Sequence, residues 1–116
     1  MTQEAALAVR AYATAAARRD PRQQEAEVFL RTNAVLRRGQ QSGGRARVRA
    51  LSDNALLWRT VIDLVADPQN ALPLPLKASI ASVGLAVQRE MQKPEPDFGF
   101  LIGVNENIAA GLLGSG

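Results

Sequence analysis

Apolar residues recur at helical spacing along nearly the whole chain, and no stretch reads as a strand. In the first segment Ala5, Ala8, Val9, Tyr12 and Ala16 share one stripe, which predicts a helix anchored by alanine methyls and a single ring. Asp20 followed by Pro21 marks a second start, an N-cap carboxylate and then a proline whose fixed φ suits the first turn. That helix is expected to reach about Arg38, burying Ala26, Phe29, Leu30, Asn33 and Leu36. Glu25 and Glu27 lie toward the positive end of its dipole, and Arg37 and Arg38 lie at the negative end. "GQQSGG", Gly39 to Gly44, then reads as a flexible break between two helices.

From about Arg45 to Ala66 the helical period is strongest. Val48, Leu51, Ala55, Trp58, Ile62 and Val65 form one stripe, while Leu57, Val61 and Leu64 fill an adjacent face. Two apolar faces predict a central helix packed on more than one side. Trp58 reads as core on this spacing, with an indole N–H that needs a partner once buried. "DPQNALPLPLKASIASVG" follows: Pro68 ends the helix, and Pro73 and Pro75 sit where a new one starts, making a rigid corner that displays Leu72, Leu74 and Leu76. Leu76, Ile80, Val83, Val87 and Met91 are the stripe of a fourth helix. Its early turns are otherwise small, with Ala78, Ser79, Ala81, Ser82 and Gly84 expected to admit a close helical neighbour from the same chain, or else from another. "KPEPD" breaks the chain again, and Asp97 caps a last helix through Phe98, Leu101, Asn105, Ile108 and Leu112. Asn105 interrupts that stripe and is expected to be a buried, hydrogen-bonded amide that fixes packing. The fold expected is all-α, a compact bundle of about five helices forming one domain over residues 1–113, with 114–116 a frayed tail.

Composition narrows the chemistry. With 116 residues, 47% of them apolar and 22% charged, the chain supports one folded core rather than two or none. It has no cysteine and no histidine, so thiolate nucleophiles, imidazole bases, disulfides and the usual zinc, copper and haem ligands are missing together. No segment approaches the ~20 apolar residues of a membrane span. The start carries Glu4 and Arg10 among its apolar residues, unlike a secretory signal, which leads to the expectation of a soluble, cytoplasmic protein.

Candidate reactive groups are few. Asp63 and Asp67 stand one helical turn apart, but Asp67 falls at a helix end before a proline and both are readily solvated. "SGGR" lacks the lysine and the preceding strand of a phosphate-binding loop. An enzyme is not expected, and no cofactor or metal is implied. The net charge of +3 is uneven: residues 1–58 carry ten arginines against five acids, and residues 59–116 carry four basic residues against six acids. Arg37, Arg38, Arg45, Arg47 and Arg49 flank the glycine-rich break and read either as a solvated face or as candidates for contacting RNA phosphates. Aromatic stacking platforms for single strands are missing, since Phe29 and Trp58 fall on buried stripes.

"NALLW" (Asn54–Trp58), the proline corner, "FLIGVNENIAAGL" (Phe100–Leu112) and the opening "AYATAAARRDPRQQEAEVF" together resemble the FlaF family of flagellar biosynthesis proteins of alphaproteobacteria, over nearly the whole chain. Lys77 stands where an arginine is expected, and the loop around Ser42 is shortened and glycine-rich. The resemblance implies a non-enzymatic cytoplasmic factor that binds flagellin before secretion and promotes its synthesis and export, working opposite the translation regulator FlbT. The resemblance further implies that flagellin's terminal segments become amphipathic helices only when packed in the filament, so that the unassembled subunit exposes apolar stripes; Tyr12, Trp58, Leu72, Pro73, Leu74, Leu76 and Ile80 are the residues expected to cover one, with the thin first helix as the part that moves. Asn54, Leu57, Asn70 and Asn105 belong to the family-like motifs as structural residues. The rival readings are an RNA-binding regulator of flagellin mRNA using the arginines of 37–49, and an adaptor that contacts FlbT or the export machinery.

Overall fold

A carboxylate and a proline fix where the first helix of the structure begins. Asp20 is extended and its Oδ1 accepts the Arg22 N–H at 2.9 Å, while Pro21 occupies the first turn, where a missing N–H has no cost. The computed structural model describes residues 20–114; the helix expected over Ala5 to Ala16, with Tyr12, lies outside them, as do Ser115 and Gly116. Within that span the chain forms α1 (Pro21–Ser42), α2 (Gly44–Ala66), α3 (Leu74–Met91) and α4 (Phe98–Gly114), with no strand. The all-α expectation holds. Helix α1 packs against both α2 and α4, α3 lies on α2, and α3 meets α4 more lightly.

The flexible break expected at Gly39–Gly44 is absent. Helix α1 continues through Gly39 to Ser42, and Gly43 alone separates it from α2. Gly43 (φ 66°, ψ −163°) and Gly44 (φ 53°) reverse the chain at positive φ, which glycine adopts without steric cost. Gly39 has a different task. It is buried where the two helices converge, and a β-carbon there would stand 2.8 Å from the Ala46 carbonyl oxygen and 2.8 Å from the Ala50 Cβ.

The expected stripes are also slightly rotated. In α2 the buried residues are Ala50, Asn54 and Trp58, while Val48 is 65% exposed. In α1 Phe29 and Asn33 are buried and Leu30 is exposed. An interior asparagine and a buried alanine carry little hydrophobic signal, so larger residues beside them draw the stripe toward solvent. Helix α3 approaches α2 closely at Gly84, where a β-carbon would lie 2.9 Å from both Cγ1 and Cδ1 of Ile62. The small face thus does receive a neighbour from the same chain, but through one residue; Ala78, Ser79, Ala81 and Ser82 are exposed.

Both inter-helix corners are tied by side chains. At the proline corner the Leu72 N–H donates to Asn70 Oδ1 at 2.9 Å and the Gln69 N–H to Asp67 Oδ1 at 2.9 Å. The Lys77 ammonium donates to the carbonyl oxygens of Asp67 and Asn70 at 3.3 and 3.2 Å. Between α3 and α4, Asp97 Oδ1 accepts the Phe100 N–H at 3.2 Å as the N-cap, and Glu90 Oε2 accepts the Asp97 N–H at 2.9 Å. The latter bond, with the Lys93 ammonium 2.9 Å from Glu90 Oε1, holds the Glu90 carboxyl below the usual glutamate range.

Candidate partner-binding groove

Three asparagines from three helices meet in the core. Asn105 of α4 donates through Nδ2 to Asn33 Oδ1 of α1 and to Asn54 Oδ1 of α2, each at 2.9 Å. Its Oδ1 accepts the Trp58 indole N–H at 2.8 Å. Asn33 Nδ2 donates to the Ile102 carbonyl oxygen at 3.0 Å, and Asn54 Nδ2 points at the Met91 sulfur, 3.6 Å away, which brings in α3. Phe29 closes one side of the cluster with an edge-on contact to Trp58, ring centroids 5.7 Å apart. Among the described residues no buried side-chain nitrogen or oxygen lacks a partner. The cluster therefore has no free group to offer a ligand; it sets the register of the helices.

The expected contact residues divide. Trp58, Leu72 and Ile80 are buried and form core, so Leu72 closes the corner inward. Leu74 is 78% exposed and Pro73 is exposed, while Leu76 is half-buried. Leu74 lines neither pocket described below.

A trough does exist, on the outer side of the α1–α2 hairpin. Val28, Arg31, Thr32 and Val35 of α1 face Asp53, Leu56, Leu57 and Thr60 of α2 across a pocket of about 380 Å³. It runs on, sharing Val28, Leu57 and Thr60, into a second pocket of about 200 Å³ whose walls include Val61, Leu64, Val65 and Leu72. On the hairpin-turn side Val35 continues it to a depression with Arg38, Ala46 and Arg49. Val28 is 40% exposed, Leu56 60% and Leu64 54%, although all three are large and apolar. The first pocket is lined by α1 and α2 alone, whereas Ile80 of α3 and Leu112 of α4 also line the second. The sequence carried one sign of the trough in the second apolar face, Leu57, Val61 and Leu64. Val28 and Leu56 were not part of any expected stripe.

The five arginines of the 37–49 segment do not share one surface. Arg37 pairs with Glu106 of α4, and Arg47 lies over the Phe98 ring, 4.6 Å from its centroid, both toward α4. Arg38 and Arg49 line the end of the groove, and Arg45 is exposed in the first turn of α2. Asp63 and Asp67 are exposed. Among the described residues no cluster of three or more acidic residues is placed to hold a metal, and no helix is long and apolar enough to cross a membrane.

Compared with known proteins, residues 8–112 match the family model for flagellar protein FlaF. No curated protein and no solved structure matches the chain.

Proposed function

Because the chain belongs to the FlaF family of flagellar proteins, we propose that it is a non-enzymatic cytoplasmic chaperone for flagellin, covering one of its amphipathic helices before export. In this role it promotes flagellin synthesis and export, opposite FlbT. The supporting observation is the open apolar groove between α1 and α2, bounded by half-exposed Val28, Leu56 and Leu64. Complete burial of one such side chain contributes ~1.5–3 kcal/mol. Several of them, matched by the guest's own stripe, are enough for a complex near ~8 kcal/mol, or micromolar, after ordering costs. The groove replaces the proline corner as the docking element, because Leu72 is already used as core.

The test is binding of purified flagellin monomer by Leu56→Asp and Leu64→Asp, with folding followed by the single tryptophan, Trp58. Both positions are exposed, so the variants fold, and binding weakens at least about tenfold. Unchanged binding by folded variants removes the groove from the mechanism. Leu74→Asp serves as the corner control and leaves binding intact. Affinity that persists as salt rises separates apolar burial from RNA phosphate contact, which collapses steeply.

A further inference from the structure

The groove is apolar at one end and cationic at the other. Around Val61, Leu64, Val65 and Leu72 the charged residue in the wall is Glu25, bound to Arg22 at 2.6 Å. Toward the hairpin turn the walls present Arg31, Arg38 and Arg49 against one carboxylate, Asp53, whose Oδ2 is 3.9 Å from Arg49 Nε. From Glu25 to Arg38 the groove floor spans about 20 Å of helix, room for about four turns of a guest.

A guest helix is itself polar, with its N-terminus positive and its C-terminus negative. Laid with its C-terminal turn over Arg38 and Arg49, its dipole and any carboxylates there meet opposite charge. Reversed, its positive end would face the arginines and its negative end would face Glu25. We propose that the groove takes an amphipathic helix lying parallel to α1, its apolar stripe over Val28, Leu57 and Leu64 and a carboxylate-bearing C-terminal turn over Arg38 and Arg49. This rests on the reading that flagellin supplies the helix, and it adds a direction that the reading does not require. Dipole alignment alone favours this direction by roughly two- to fivefold in affinity, and carboxylates in the last turn widen the margin.

Two measurements on the full chain with purified monomeric flagellin decide it. A photo-crosslinking side chain replaces Leu64 in one protein and Arg38 in another, and the captured flagellin residues are located by mass spectrometry. The expected result is one captured segment, with the residue caught from position 64 preceding the residue caught from position 38. The opposite order overturns the direction while leaving the proposed function standing. Capture from neither position, with flagellin still bound, overturns both. Capture of residues 1–19 of the same chain in place of flagellin assigns the groove to an internal segment and likewise overturns both.

In the second measurement Arg38→Glu combined with Arg49→Glu weakens flagellin binding about tenfold at low salt, and the gap narrows as salt rises. Leu64→Ala, which removes apolar contact and adds no charge, weakens it equally at every salt concentration. Arg59→Glu, on the α3 side of α2 beside Met91 and Gln92, leaves binding unchanged. An unaltered affinity in the folded Arg38/Arg49 variant refutes the charge-directed orientation.

Discussion

Asn105 carries more of the fold than its size suggests, because three partners depend on it at once. Asn105→Ala strands the Trp58 N–H and the Oδ1 atoms of Asn33 and Asn54, each costing ~1–3 kcal/mol when left bare in the core. The expected loss is at least ~3 kcal/mol by urea denaturation. Trp58→Phe bares only one acceptor and costs less. Asn105→Asp keeps the volume but replaces both donors with a buried charge, so it is expected to be no better than alanine. Glu90 acts at a different pH. Its carboxyl is held below the ordinary range by the Asp97 N–H and then by Lys93, so its contribution is present above the unfolded value and lost as pH falls through the lower folded value. The difference in denaturation midpoint between wild type and Glu90→Gln should be steady from about pH 7 to about pH 5 and close below about pH 4. The interrupted stripe of α4 points to Asn105 as an interior amide, but the bonds joining it to Asn33 and Asn54 link three helices and have no local signature.

At the scale of the elements, what the sequence made legible was local chemistry. Asp20, Pro21 and Asp97 announce helix starts because a cap is decided within a few residues. Gly39 misled because its function is set by a contact across the hairpin, which a local reading of the glycine-rich stretch does not contain. Gly39→Ala forces a β-carbon against the Ala46 carbonyl, which is backbone and cannot swing aside, so it should destabilise by ~1–3 kcal/mol despite alanine's better helix propensity. Gly43→Ala meets no atom within 4 Å, but φ 66° with ψ −163° is a conformation essentially restricted to glycine, so it costs ~1–3 kcal/mol, and Gly43→Asn recovers little of it. Thermal melts of the three variants check these losses; a Gly39→Ala protein as stable as wild type would mean that the two helices separate easily there. The rotation of the α2 stripe has the same origin, since the positions that face α1 are filled by Ala50 and Asn54, whereas hydrophobic periodicity weights Val48.

For the molecule as a whole, the amide cluster links α1, α2 and α4 directly and reaches α3 through Met91, so the helices have no independent way to come apart. Trp58 fluorescence and the slowest amide exchange in α1, α2 and α4 are expected to report one unfolding free energy. A separate, earlier loss of exchange protection in α4 would break that prediction. The helical class was readable from periodicity, and the groove was half readable: Leu57, Val61 and Leu64 declared a second apolar face on α2, but whether such a face is packed or open depends on where α3 and α4 settle. The hairpin under the groove turns on a single glycine and is pinched at Gly39, so its two walls cannot spread to suit a visitor. In the proposed complex, adaptation then falls on the client, which gives up its own freedom to become helical, and client substitutions that raise intrinsic helicity should tighten binding without touching a single contact.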